Sequence, residues 1–331
     1  MKFNKMVILV LKWFIYILGG VLILVFISLQ AYKAYLKSST KIKTPNGISS
    51  MEKVILGDLE QWVFIRSMDT SNPVLIFLHG WPCEPALGMS SSRNLDKELI
   101  KHFTVVHWDQ LGAGKSFNNN IPNSSMSMER WVEDCNELIN YLRNRFNSQK
   151  VFLVGHSGGT ILGLKIAQKY PEKIAAYVGI AQILNNHEQQ AISYNYILQK
   201  ATDKGNQKTI DKIKEIGPPP YSNPKKELEK AKYIIKNGNF IRNEVVKNMG
   251  IIALSYLSSP EYTIKEGFQT LSGKGLIFTL DARYHEIIKM DLTNEVRSLE
   301  VPVYFFQGKY DMITPTSQIE DYYQKLKASH G

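Results

Sequence analysis

The 331-residue sequence predicts an α/β protein: a mostly parallel sheet flanked by helices, interrupted by an inserted helical cap and preceded by one transmembrane helix. Three observations carry this expectation. Short apolar runs alternate with amphipathic helical patterns over residues 51–181, as in a doubly wound sheet. Over 182–299 the pattern turns polar and helical, broken by Gly217-Pro218-Pro219-Pro220, and the apolar strand pattern returns within 300–331. An apolar run over 7–29 precedes everything else.

Taken in order, residues 7–29 are apolar except for Lys12, Ser28 and small neutral residues, and the 17 residues of 13–29 alone approach the length that spans a hydrocarbon core. A cleaved signal peptide has a shorter apolar region, about 7–15 residues, ending in small residues at the cleavage site. Here Gln30-Ala31-Tyr32-Lys33-Ala34 follows, so residues 1–31 are expected to be an uncleaved single-pass anchor in the cell membrane. Lys2, Lys5 and Lys12 lie before or within the run, and Lys33, Lys37, Lys41 and Lys43 follow it. The positive-inside rule therefore does not decide the orientation, and an extracytoplasmic domain is the working expectation. Residues 32–50 read as a linker, with a turn at Pro45-Asn46-Gly47.

Strands are expected at 54–56 and 62–65, then at 74–78, a continuous apolar run suited to a strand buried on both faces. Another follows at 104–108. Residues 128–146 form the clearest helix, with Met128, Trp131, Val132, Cys135, Leu138, Ile139, Leu142 and Phe146 on one face. A strand at 151–154, a helix to Lys169 and a strand at 174–180 complete the first part of the core. A strand at 301–306 and a helix from Pro315 to about residue 327 form the second.

Composition excludes several classes. The net charge is +10, but lysines cluster just after the apolar run and along 204–236, without an arginine-rich stripe of interleaved aromatics, so no nucleic acid partner is expected. That charge is read as solvated helix faces and a membrane-proximal segment. The two cysteines make no disulfide framework or metal site; Cys135 is expected to be a buried thiol, and Cys83 falls in a loop. Asp109-Gln-Leu-Gly112-Ala-Gly114-Lys115-Ser116 imitates a phosphate loop, but that motif needs a glycine where Asp109 stands. No cofactor and no metal are expected.

The chemistry centres on Gly155-His156-Ser157-Gly158-Gly159, which follows a buried strand and leads into a helix. A sharp strand-to-helix turn of this kind presents a serine nucleophile, Ser157, at the carboxyl edge of the sheet, with Gly155, His156 and Gly159 completing the elbow. His79-Gly80-Trp81-Pro82 follows another buried strand. In an acyl-transfer site such a loop donates one backbone N–H to the oxyanion and the residue after the nucleophile donates the other, here Trp81 and Gly158, since Pro82 has no N–H. His79 is expected to serve the fold. Asp311, after the strand at 301–306, is well placed to orient a histidine, whereas Asp281 and Asp291 fall within or just after the cap.

Together, His-Gly-Trp-Pro, Asp-Gln-Leu-Gly-Ala-Gly-Lys-Ser, Gly-His-Ser-Gly-Gly and Gly-Lys-Tyr-Asp-Met-Ile-Thr-Pro resemble the α/β-hydrolase superfamily, most of all its proline iminopeptidase-related branch, over about residues 50–331. The resemblance implies Ser157 as nucleophile, Asp311 as acid and a helical cap over the pocket. The chain departs from the branch's His-Gly-Gly-Pro-Gly at Trp81 and Cys83, and no cap motif of tryptophan and glutamate that reads a free amine is found. Ester, amide and N-terminal peptide bonds all stay open. A small-molecule or peptide substrate is expected; Tyr194, Tyr196, Tyr233 and Phe240 would suit a lipid-like or peptide substrate, but are read first as cap packing.

Ser157 needs a base, and the resemblance places it downstream of the acid. Of the seven histidines only His330 follows Asp311. The intervening helix, about thirteen residues at 1.5 Å each, carries the chain roughly 20 Å from the catalytic edge. His330 is therefore not expected to be the base. Two readings follow: a serine hydrolase whose last strand, base-bearing loop and final helix lie beyond this sequence, or an inactive hydrolase-like binding protein.

Overall fold

The computed structural model describes residues 2–82, 84–85, 92–237 and 249–328. Nine strands are found among them: β1 (Ile48–Leu56), β2 (Leu59–Ser67), β3 (Val74–Leu78), β4 (Thr104–Asp109), β5 (Val151–His156), β6 (Ile174–Ile180), β7 (Ser298–Leu299), β8 (Val303–Phe306) and β9 (Lys327–Ala328). Seven form one sheet in the order β1-β2-β4-β3-β5-β6-β8. β1, β2 and β4 pair antiparallel in succession, and every pairing from β4 to β8 is parallel. The parallel strands are the continuous apolar runs. All six residues of β4 are buried, as suits a strand covered on both faces.

The helices are α1 (Lys2–Ser39), α2 (Ser92–Leu99), α3 (Met128–Arg145), α4 (Gly159–Lys169), α5 (Asn186–Asp203), α6 (Gln207–Ile216), α7 (Pro224–Asn237), α8 (Met249–Leu257), α9 (Ile264–Leu271), α10 (Lys274–Ile287), α11 (Leu292–Glu295) and α12 (Thr316–Lys325). α3 begins where the Ser127 side chain accepts the Arg130 N–H, satisfying one of the unpaired donors at a helix start. Its Trp131, Val132, Cys135, Leu138, Ile139 and Leu142 join the main core with residues of β3, β4 and β5. α5 to α11 fill the interval between β6 and β7, with a core of their own around Ile197, Ile213 and Ile234. α1 is longer than the apolar run that predicts it. It continues through the first eight residues of the expected linker, because Lys33 and Leu36 find buried partners on the domain.

The loop after β4 ties core to cap. Asp109 Oδ2 accepts the Lys115 N–H (2.8 Å) and the Tyr262 hydroxyl (2.6 Å), while Lys115 Nζ reaches Glu266 on α9 (2.7 Å). The phosphate-loop imitation is thus a staple, with Asp109 at its knot. Burial pushes the Asp109 carboxyl up to about 7, against the lowering effects of Tyr262, Lys115 and His107. Its buried Oδ1 has no partner among the described residues. An unfolded aspartate ionises near pH 4, so the native state holds this proton longer, and folding stability attributable to Asp109 falls as pH rises from about 4 to about 7. Asp109→Asn should remove that loss. Thermal melts across this range should show wild type losing ground to the variant as pH rises, whereas a constant offset would contradict the assignment.

Candidate active site

β5 delivers the chain to the carboxyl edge of the sheet, where Ser157 takes a left-handed φ of 49°, a conformation that L-residues rarely adopt. The surroundings hold it there. The Ser157 N–H donates to the Ile180 carbonyl at the end of β6 (2.9 Å), and α4 starts at once, with Thr160 N–H on the Ser157 carbonyl (2.9 Å). The loop after β3 packs backbone-to-backbone on this turn. A Cβ at Gly159 would stand 2.2 Å from the Leu78 carbonyl oxygen, and one at Gly158 would stand 2.3 Å from the Trp81 nitrogen. The two backbone donors expected from sequence, at Trp81 and Gly158, are therefore neighbours beside Ser157.

Each histidine near the site has a place. His79 is buried, with Nδ1 on the Gly80 carbonyl (2.9 Å) and Nε2 accepting the Gln110 N–H (3.2 Å). Both ring nitrogens are occupied, and burial lowers it to about 4, so it serves as a neutral brace of the loop. His156 turns toward the rim, its Nδ1 3.4 Å from the Glu84 carboxylate. The interaction with Glu84 raises its pKa despite burial, and Asp311 adds to the effect. Cys135 is buried and inert, its thiol raised by desolvation; Cys83 lies outside the described residues.

Asp311 sits in the turn after β8, two strands along from β5. Oδ1 accepts the N–H groups of Ile313 (2.8 Å) and Thr314 (3.0 Å), and Oδ2 accepts the Thr314 hydroxyl (2.7 Å). Its carboxylate is fixed in direction. The competitors are used otherwise: Asp291 caps α11 by accepting the Thr293 N–H (3.1 Å), and Asp281 is exposed. Among the described residues no histidine is hydrogen-bonded to Asp311. α12 leads from the Asp311 turn to β9, which pairs with β7 upstream of β8, so by Lys327–Ala328 the chain has crossed to the opposite edge of the sheet. His330 itself lies outside the described residues.

Ser157 opens on a cavity of about 160 Å³ between the sheet edge and the helical segment. Trp81, Pro82, Ser157 and Ile183 form its floor, and α5, α7 and α10 form its roof. The roof carries residues that the sequence reading passed over. Glu227 accepts Gln190 Nε2 (2.6 Å) and the Tyr284 hydroxyl (3.0 Å), and Lys230 Nζ donates to the Gln190 carbonyl (3.2 Å). Burial raises Glu227, with Lys230 opposing, and lowers Lys230 to about 8, with Glu227 opposing. Lys230 thus corrects the reading of the 204–236 lysines as uniformly solvated, since its side chain packs inward against Gln190. The available signal was spacing: Glu227, Lys230, Ala231 and Ile234 share the inward stripe of α7 at helical steps. Tyr194 and Tyr233 pack on the core of the inserted helices and are not among the residues that line the cavity, and Phe240 lies outside the described residues.

A strained serine turn at the carboxyl edge of a mainly parallel sheet, under inserted helices, is the arrangement of α/β-type hydrolases. Residues 73–330 match the family described as alpha/beta hydrolase fold, and the chain belongs to that family. It is 30% identical over 291 residues to the probable aminopeptidase YbaC of Bacillus subtilis, covering 87% of this chain and 89% of that protein. It is 25% identical over 242 residues to the proline iminopeptidase of Thermoplasma volcanium, covering 72% and 74%. The crystal structure of a proline iminopeptidase-related protein from Thermus thermophilus superposes with a TM-score of 0.54 at 16% identity, over 85% of this chain and 87% of that one, which shows the shared fold. The protein is a hydrolase of the proline iminopeptidase-like branch.

The Gly158 contact yields a test. Gly158→Ala should displace the Trp81 backbone and lower kcat by about 100-fold or more, the cost of losing an oxyanion donor. Circular dichroism and melting should show a folded variant, and an unchanged kcat would separate this contact from catalysis.

Proposed function

We propose that the protein is a membrane-anchored serine hydrolase that releases N-terminal residues from peptides or amides through an acyl-enzyme on Ser157. The observation that carries the reading is Ser157 at φ 49° in the cavity wall, with the Trp81 and Gly158 backbones packed beside it. Ser157 Oγ attacks the scissile carbonyl and its proton passes to a base. The oxyanion is stabilised by the two N–H groups, the leaving amine takes the proton, and water then cleaves the ester. Asp311 is the carboxylate that orients the base. None of the six described histidines is assigned that role: His79 and His107 are committed to Gly80, Gln110 and Asp96, His156 leans on Glu84, and His102, His187 and His285 are exposed. The path of α12 weighs against His330.

Substrate choice rests on the cavity's charge. Glu84 and Glu227 face it with Lys230 as the only cation among its described lining residues, so the wall is net negative when these groups are ionised. Carboxyl groups in the wall favour a substrate bearing a free amine near the scissile bond, in keeping with the aminopeptidases that the chain is similar to. α1 supports the anchoring: it is long and apolar enough to cross a bilayer, and its large apolar side chains from Met6 to Ile27 are exposed.

Kinetics on two substrate types test the proposal. Ser157→Ala should abolish turnover of both aminoacyl arylamides and short acyl esters. Glu227→Gln should raise KM for aminoacyl arylamides about tenfold while leaving ester hydrolysis within about twofold. Equal loss on both substrates would remove the amine reading, and full activity of Ser157→Ala would remove the nucleophile.

A further inference from the structure

α1 is bolted to the domain at its carboxyl end. Lys33 Nζ donates to the Tyr262 carbonyl (2.6 Å), and Leu36 is buried beside it. Arg66 donates to the Thr40 carbonyl (2.6 Å) and Arg93 to the Thr40 hydroxyl (2.7 Å). Arg93 in turn holds Glu261 in an ion pair whose side chains are 5% and 3% exposed. Such a joint transmits orientation, so a bilayer around α1 sets the attitude of the whole domain.

It also sets the height. The apolar run ends at Leu29, and Lys33 follows one helical turn later, about 6 Å further on. Tyr262 is therefore held within about a turn of the hydrocarbon boundary. The contact reaches deeper still: a groove of about 520 Å³ has Phe26, Gln30 and Lys33 on one wall and Pro260, Tyr262 and Ile264 on the other. The start of α9 lies level with the end of the apolar run.

Beyond that point, three helices that pack in succession, α8, α9 and α10, each carry exposed apolar side chains. Ile264, Phe268 and Leu271 share one face of α9 at steps of four and three, and Phe268 is 58% exposed. The other face of α9 is engaged inward, with Gln269 Nε2 on the Phe117 carbonyl (3.1 Å). Ile251 and Leu254 are exposed on α8, and Ile277 on α10. Large apolar side chains grouped in this way mark an interaction surface. Lys37, Lys41 and Lys43, next along the chain from the bolt, provide the cations that anionic headgroups attract.

We propose that this face of α8, α9 and α10 is seated in the interfacial layer of the bilayer that α1 crosses. The proposal rests on the membrane reading of α1. Its consequence reaches the site, because α10 carries both the exposed Ile277 and Leu280, which lines the catalytic cavity. α10 then borders both Ser157's cavity and the lipid surface, which favours substrates that partition into that surface.

Spin labels on the full chain in phosphatidylcholine–phosphatidylglycerol vesicles test this. Single cysteines are introduced at Leu22→Cys, Leu254→Cys, Phe268→Cys and Lys208→Cys in a Cys83→Ser background, with Cys135 left buried. The ratio of collisions with lipid-soluble oxygen to collisions with a water-soluble nickel chelate should be about tenfold higher at 254 and 268 than at 208, approaching the value at 22. Labels at 254 and 268 that match 208, with 22 still in lipid, would overturn the seating while leaving the anchor intact. A water-exposed label at 22 would overturn the anchor and the seating together. Spin–spin broadening at 268 with exclusion of both reagents would assign the face to a second copy and also overturn the proposal.

Discussion

The site depends on one contact, the backbone of the loop after β3 lying directly on the backbone of the turn after β5. It exists because β3 and β5 are parallel neighbours in a register that pairs Leu78 with Gly155. From that pairing both chains leave the sheet edge together and have no room for side chains between them, hence glycine at 158 and 159. Strain at Ser157 is of the order of 1–3 kcal/mol for a residue in this region of backbone space. It is sustained by the Ile180 carbonyl, the first turn of α4 and the loop above, all held by a core that would have to open for the turn to relax.

A second layer of constraint joins the site to distant parts of the chain. Gln110, beside the Asp109 staple, donates its backbone N–H to His79, which braces the Trp81 loop. Asp109 bonds to Tyr262, and Tyr262 receives Lys33 from α1. Hydrogen bonds and the short covalent steps through Tyr262 and Asp109-Gln110 thus link the base of the apolar helix to the loop beside Ser157. The loop that imitates a phosphate-binding motif owes its sequence to this role: Gly114 has a φ of 49° and packs against Tyr262 and Asp109, where a side chain would collide.

Much of this is legible in the sequence. The buried strands, the α3 stripe and the serine turn follow from local patterns, because periodicity and glycine placement are local consequences of burial and backbone strain. The sequence also puts Asp311 in a turn after a strand, and the structure shows that turn with its carboxylate held by Ile313 and Thr314. What escaped is what tertiary partners decide. β1 and β2 extend beyond the apolar residues at 54–56 and 62–65, since a hairpin gains its outer rungs from backbone pairing rather than side-chain burial. Lys230 looked like one more solvated lysine until Gln190 and Glu227 came across the cavity roof to meet it. Likewise α1 overran its apolar segment because Lys33 donates to the Tyr262 carbonyl, 229 positions away in the chain, and Leu36 is buried.

The central claim is that the strained turn makes Ser157 a nucleophile, and covalent trapping examines it most directly. The full chain in detergent or vesicles is treated with a fluorophosphonate, digested and mapped by mass spectrometry. The account predicts a single phosphonyl adduct on Ser157, formed far faster than on denatured protein and absent from Ser157→Ala. An unmodified Ser157 in folded protein, or an adduct that persists at another residue in the Ser157→Ala variant, would contradict it.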